Sequence, residues 1–284
     1  MERPTPFGGY STRDVAAMLG LSPAQVRSYV QAGFLSPPRG ARGELRFTFQ
    51  DLVLLRTAKG LVAAHVPSRR VRQALARLKH QLPSGRPLTA VRIQADGRRV
   101  IARDGREVWN PESGQALLDF EVGDLAREAA PFARRAAEAA RDHEAELGAE
   151  DWYELGCELE ATAPEEAMDA YRRALGLDPV HPDAHLNLGR LYHERGELRK
   201  AEEHYRQALA ARPGDATAAF DLGVALEDLG RLPEAIGAYE AALAADPEYA
   251  DAHFNLAGVY EQLDQRGEAL RHLKTYKSLT EGRR

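Results

Sequence analysis

From about residue 149 onward, apolar and small residues return in one frame every 34 positions. Leu188-Gly189 is followed by Leu222-Gly223 and Leu256-Ala257, Tyr192 by Leu226 and Tyr260, and Ala201 by Ala235 and Ala269. Gly196, Gly230 and Asp264 share one position. Tyr205, Tyr239 and Leu273 share another, and Ala208, Ala242 and Tyr276 a third. Pro213 and Pro247 close two of the units. An earlier unit, one residue shorter in its turn, runs through Trp152, Leu155-Gly156, Leu159, Ala167, Tyr171, Ala174 and Pro179. The pattern predicts about four units, each a pair of antiparallel helices. Leu-Gly and Ala allow close approach of the two helices, the aromatic fills the remaining gap, and Pro ends the second helix. One such pair cannot bury its own apolar face, so neighbouring units must stack. The last unit lacks the closing Pro and ends in the polar TEGRR, as a capping unit would.

Upstream the periodicity changes. In residues 84–120, LTAVRIQ, RRVIAR and REVW carry apolar residues near alternate positions. Asp96-Gly97 and Asp104-Gly105 separate them, and Asp-Gly between such runs is a hairpin signal. Asn110 to Gly114 reads as a further turn and QALLDF as a last strand, giving a small β-meander. From Asp124 to about Leu147 an Ala-, Glu- and Arg-rich stretch reads as one long helix. Pro131 either kinks it or marks an earlier start.

Residues 10–80 read as helix, helix, turn-rich hairpin, helix, helix. STRDVAAMLG opens on a Ser/Thr cap, with Val15, Ala16 and Leu19 on one face. After a tight turn at Gly20, Ser22 is the expected N-cap and Pro23 the first helical residue of LSPAQVRSYVQAG. A three-residue turn between two short helices is a helix-turn-helix signature. GFLSPPRGARGELRFTF then reads as a hairpin wing carrying Arg39, Arg42 and Arg46. FQDLVLLRTAKGLVAAHV and PSRRVRQALARLKHQL, the latter opened by Pro67, follow as amphipathic helices.

Charge divides along the same lines. The chain has 284 residues and a formal net charge of −5, but residues 1–83 carry +9, residues 84–148 carry −2 and residues 149–284 carry −12. A basic head on an acidic body points to a polyanion at the head. One cysteine excludes a disulfide framework and a cysteine-rich zinc module. No apolar run approaches the roughly 18–20 residues of a membrane span, and MERPTPFGGY lacks a signal-peptide core. A cytoplasmic protein, nucleoid-associated when bound to DNA, is the expectation.

Catalytic signals are weak. His181 and His185 have Pro182 between them, no metal-spaced set appears, and no Gly-rich phosphate loop with a following Lys-Ser/Thr occurs. His185 and His253 share one repeat position, which favours packing or groove lining. Cys157 is expected as a small buried residue. No enzyme activity, cofactor or metal site is expected.

The head resembles the winged helix-turn-helix of the MerR regulator family. The matching residues are Tyr10, Val15-Ala16, Leu19-Gly20-Leu21-Ser22, Val26-Arg27-Ser28-Tyr29-Val30, Gly33-Phe34-Leu35 with Pro37, Arg46 and Asp51-Leu52. Ser28 and Val30 replace the family's Tyr and Glu, and the stretch from Arg46 to Asp51 is one residue shorter than usual. The long dimerising helix and effector domain that usually follow are replaced by the β-meander and repeats. The resemblance implies that Arg27 and Tyr29 contact the major groove and its backbone, and that Arg39, Arg42 and Arg46 place the wing on phosphates. Independently, Ser22, Ala24 and Gln25, with Ser28, offer small or amide side chains suited to base edges. The alternative for Tyr29 is a half-buried core aromatic.

Residues from about 149 to 284 resemble tetratricopeptide repeats. The expected fold class is therefore mainly α and multidomain. It comprises a winged helix-turn-helix head (1–83), a small β-meander (84–120), a linking helix (121–148) and an α-solenoid (149–284). By frame, Tyr153, Glu154, Cys157, Leu186, Asn187, Arg190, His193, Phe220, Asp221, Val224, Glu227, Phe254, Asn255 and Glu261 line the repeat groove. An apolar floor with acidic walls suits a basic or amphipathic protein segment; the alternative is self-association into a homodimer. The resulting reading is a transcriptional regulator that binds double-stranded DNA at its head and a protein at its repeats. The competing reading is a scaffold or adaptor that does not bind DNA.

Overall fold

The computed structural model describes residues 9–40, 43–63, 66, 68–81, 91–95, 100–104 and 118–281. Arg42, Pro67, Asp96-Gly97, Gly105, the REVW run and the Asn110–Gly114 turn lie outside the described residues. The chain is mainly α and divides into two compact units, one ending at Ala170 and the other starting at Tyr171.

In the first unit, strand β1 (Tyr10–Ser11) leads directly into helix α1 (Thr12–Leu19). Ser11 and Asp14 form a reciprocal capping box, with the Ser11 N–H donating to the Asp14 carboxylate at 2.9 Å. Such a box satisfies two otherwise orphaned amides of the first turn. Gly20 closes the helix at φ 59°, a left-handed conformation that suits a residue without Cβ. Helix α2 (Pro23–Gln31) starts on a second box, Ser22 with Gln25, and has Pro23 in its first turn.

The chain next forms a short hairpin in which Arg39 bridges Leu45. Strand β2 (Arg46–Phe47) pairs antiparallel with β1, Tyr10 opposite Phe47 and Ser11 opposite Arg46. Helix α3 (Phe49–Ala63) is opened by a third reciprocal pair, Thr48 with Asp51. Helix α4 (Ser68–Gln81) follows. Val15, Val26, Phe47, Leu52, Leu55 and Leu75 form the centre of one buried cluster, which also takes Val122, Leu125 and Ala129.

Strands β3 (Val91–Ala95), β4 (Val100–Asp104) and β5 (Leu118–Glu121) form an antiparallel sheet in the order β4-β3-β5. The pairing refines the meander: the last strand returns to the free edge of β3. Helix α5 (Val122–Asp142) runs through Pro131 without a break and starts slightly before the expected Asp124. Its Ala126, Ala129, Ala133, Ala137 and Ala140 are buried on one side. A 3-10 turn at Glu144–Glu146 precedes helix α6 (Ala149–Leu159), whose Trp152, Leu155, Gly156 and Leu159 are buried. Helix α7 (Pro164–Leu177) follows.

The second unit contains α8 (Pro182–Glu194), α9 (Leu198–Ala211), α10 (Ala216–Asp228), α11 (Leu232–Ala245), α12 (Ala250–Gln262) and α13 (Arg266–Glu281). The predicted close approach is present. A Cβ built on Gly189 would sit 2.8 Å from the Tyr205 ring, and one on Gly223 would sit 2.5 Å from the Tyr239 ring. Tyr205 and Tyr239 are fully buried. The turn position is left-handed in each repeat, with Gly196 and Gly230 at φ 73° and Asp264 at φ 55°.

Candidate nucleic-acid interface and repeat groove

On α2, Ser22, Ala24, Gln25, Arg27 and Ser28 are all exposed. Much of their hydrogen-bonding capacity is already directed. The Gln25 amide carbonyl accepts from the Ser22 N–H at 2.8 Å, and the Ser28 hydroxyl donates to the Gln25 carbonyl at 2.8 Å. Gln25 therefore keeps its side-chain NH2 for an external acceptor, and its position is held by the capping box. Tyr29 is half-buried and tilted against Phe34, with ring centroids 5.6 Å apart. Burial raises its phenol pKa above the usual value. Its ring packs against the core cluster.

The wing arginines separate. Arg39 is exposed, and its guanidinium donates to the Gly43 carbonyl at 2.8 Å, bracing the wing turn. Arg46 is placed differently from the expectation of a free wing cation. It lies on β2, its side chain is only 26% exposed, and it is ion-paired with Glu44 at 2.9 Å. Strand register turns it toward a cavity in the first unit.

Among the groove positions of the second unit, Asn187 donates to the Tyr171 hydroxyl at 3.1 Å, and Asn255 to the Tyr239 hydroxyl at 3.4 Å. These amides tie one helical pair to the next. Phe220 departs from the expected groove floor. It is 9% exposed and stands between Tyr239 and Tyr249, at centroid distances of 5.7 and 4.9 Å. Two aromatic neighbours enclose the ring. Phe254 is open, 52% exposed, with Tyr276 5.2 Å away. Leu186, Arg190, His193, Asp221 and Val224 are half-buried. Glu227 accepts from the Tyr239 hydroxyl at 2.9 Å and from Gln262 at 3.1 Å, so part of the acidic wall is engaged internally. In the first unit, Tyr153 and Glu154 are half-buried. Cys157 is exposed, contrary to the expectation of burial, because Leu155, Gly156 and Leu159 occupy the inward side of α6.

Residues 10–78 match the MerR HTH family of regulatory proteins. The tetratricopeptide repeat family matches over residues 158–216, 188–250 and 220–279. The chain joins a MerR-type helix-turn-helix to tetratricopeptide repeats. No curated protein matches it. Solved structures of MamA are similar to the chain. One is 21% identical, covers 56% of this chain and 91% of its own, and has a TM-score of 0.49. A MamA from Desulfovibrio magneticus RS-1 is 23% identical over 56% of this chain and 93% of its own, with a TM-score of 0.48.

Within the tetratricopeptide repeats, two histidine pairs escaped the sequence reading. His185 meets His204, and His253 meets His272. His185 and His253 share one repeat position and His204 and His272 another, two periods apart in each case, but the period alone does not show that the two positions meet. In the unit that holds the MerR-type head, Glu158 accepts a hydrogen bond from the Gly9 N–H. The Tyr10 hydroxyl donates to Thr162 at 3.2 Å. These partners are separated by 149 and 152 positions, beyond any periodicity. Among the described residues, no group of three or more His, Cys, Asp or Glu could hold a metal ion. Among them too, no helix is long and apolar enough to cross a membrane.

Proposed function

We propose that the chain is a transcriptional regulator that binds duplex DNA through α2 and the wing, and a protein partner through its repeats. The observation that carries the DNA reading is the exposed face of α2 in the MerR-matched segment. Its first turn presents Ala24 and Gln25, with Arg27 one turn on. Small and amide groups there fit base edges, while Arg27, Arg39 and the +9 charge of residues 1–83 supply phosphate attraction. Arg42 belongs to the same proposal by sequence. Ser22 orients the helix, and Tyr29 and Arg46 act mainly as supports. The division at residues 83, 120 and 148 is part of this reading.

For the repeats, Phe254, Leu186 and the acidic balance of residues 149–284 support a basic or amphipathic protein segment as partner.

Fluorescence anisotropy of the full chain on a duplex pool, followed by sequencing of the retained fragments, tests the DNA reading. Affinity should fall steeply with salt as phosphate counterions are released. Failure to bind any duplex at low salt would reject it and leave the scaffold or adaptor reading.

A further inference from the structure

A cavity of about 410 Å³ lies within the first unit. That is within the range of small-molecule sites. Its walls are largely apolar, with Phe49 from α3, Phe132 and Ala136 from α5, and Leu155 from α6. Tyr10, Asp14, Arg46, Thr48, Arg135 and Glu158 also line it, and their partners decide what could enter.

Of the two cations in the wall, Arg46 is engaged by a carboxylate and Arg135 by an aromatic face and a carbonyl. Arg46 is paired with Glu44 at 2.9 Å. The Arg135 guanidinium lies 4.6 Å from the centroid of Phe132 and donates to the Pro131 carbonyl at 3.4 Å. Asp14 is held in the capping box of α1, and the Tyr10 hydroxyl is turned to Thr162. Glu158 is different. The hydrogen bond it accepts comes from a neutral donor, the Gly9 N–H. Glu154 adds negative field, which Arg46, already shared with Glu44, offsets. Even half-buried, as Glu158 is, a carboxylate with so little compensation is costly, and an incoming positive charge would relieve it. The phenyl rings beside it offer a surface for an apolar body and a face for a cation.

We propose that this cavity binds a small organic amine with an apolar body, its ammonium group seated on the Glu158 carboxylate. Burial, before any other influence, pushes the Glu158 carboxyl up to about 7. Binding should therefore strengthen as pH rises through that value, provided the amine stays protonated. The carboxylate that meets the ammonium is also the group that holds Gly9, next to the β1–β2 pair of the head. A bound amine would thus act on the segment that anchors the wing.

Calorimetric titration of the full chain slightly above about pH 7 tests this. The probes are phenethylamine, phenylbutylamine and tryptamine, each compared with the carboxylic acid of matching carbon skeleton. At least one amine should bind with one-to-one stoichiometry, and its acid counterpart should not. Glu158→Gln keeps an acceptor for Gly9 but removes the charge, and should weaken that amine at least about tenfold. Ala136→Phe leaves the carboxylate in place but fills the space, and should weaken it as much. The proposal is overturned if none of the amines binds, if the acids bind equally well, or if neither substitution changes amine affinity. DNA plays no part in the measurement, so its outcome is separate from that of the DNA-binding reading.

Discussion

His185 and His204 face each other through their Nδ1 atoms at 2.9 Å, while His185 Nε2 lies 3.1 Å from the Pro179 carbonyl. That carbonyl can only accept, so His185 must carry its proton on Nε2, and His204 donates from Nδ1. The arrangement recurs two repeats on, between His253 and His272 at 2.9 Å, with Pro247 as the carbonyl. The intervening repeat has Ala219 and Ala238 in these frame positions.

The pairs should make the repeats acid-sensitive. Burial, then His185 and Arg172, lower the His204 pKa to about 4, and the His272 pKa is also lowered, chiefly by burial. The folded state binds fewer protons than the unfolded chain between about 4 and 6.5. Stability is full above the unfolded value and is lost as pH falls toward the folded one. In urea unfolding followed by circular dichroism, the parent should lose stability between about pH 7 and pH 5 relative to a variant with all four histidines replaced by Ala. His204 contributes roughly 1–2 kcal/mol after allowance for its partial exposure. The variant carries at those positions the Ala that the intervening repeat already has, and it should lack this acid-linked loss.

Helix contact in the repeats depends on the absence of a side chain. Gly189→Ala and Gly223→Ala push a methyl group into the Tyr205 and Tyr239 rings, which are buried and cannot retreat. Each should cost about 1–3 kcal/mol. Gly237 in α11 has nothing within 4 Å of a built Cβ, and Gly237→Ala should stabilise by up to about 1 kcal/mol. Thermal melts of the three variants should move in these opposite directions.

Asp264 holds the left-handed turn position at φ 55° that Gly196 and Gly230 occupy elsewhere. Its ion pair with Arg266, at 3.1 Å, has both side chains 84% exposed and contributes little. Asp264→Gly should therefore raise the midpoint by roughly 0.5–1 kcal/mol of stability. An unchanged or lower midpoint would show that the turn carries no strain.

Glu158 should shift stability in the sense opposite to the histidines. Its folded pKa, about 7, lies above the usual carboxylate value of 4.5, so the folded state binds more protons in that interval. Stability contributed by this group is present at low pH and lost as pH rises through the window. Glu158→Gln should then stabilise the protein above about pH 7, by roughly 1–3 kcal/mol, and have little effect near pH 5. Comparison of parent and variant at the two pH values isolates this group from the histidine pairs.

On the head, Arg27→Ala should weaken DNA binding across sequences and lower the salt slope by about 1, as loss of one phosphate contact does. Arg46→Ala should change DNA affinity less, since its guanidinium is committed to Glu44. Equal losses for the two variants would return Arg46 to the interface.

The repeat period, the close Leu-Gly contacts, the Ser22 cap, the α2 helix and the separation of basic from acidic segments follow from residue order. These are short-range or periodic properties, set by helix geometry, caps and the need to stack. Residue order did not reveal that Phe220 is enclosed by Tyr239 and Tyr249, that Cys157 faces outward, or that Arg46 turns inward with the β2 register. Nor did it bring Glu158 to Gly9 or pair the histidines. Each of those depends on which distant segments pack together, and burial and partner choice are decided there. The sequence alone determined a helix-turn-helix head and a helical repeat array, whereas tertiary packing decided which of their polar groups lost water and so acquired shifted pKa values.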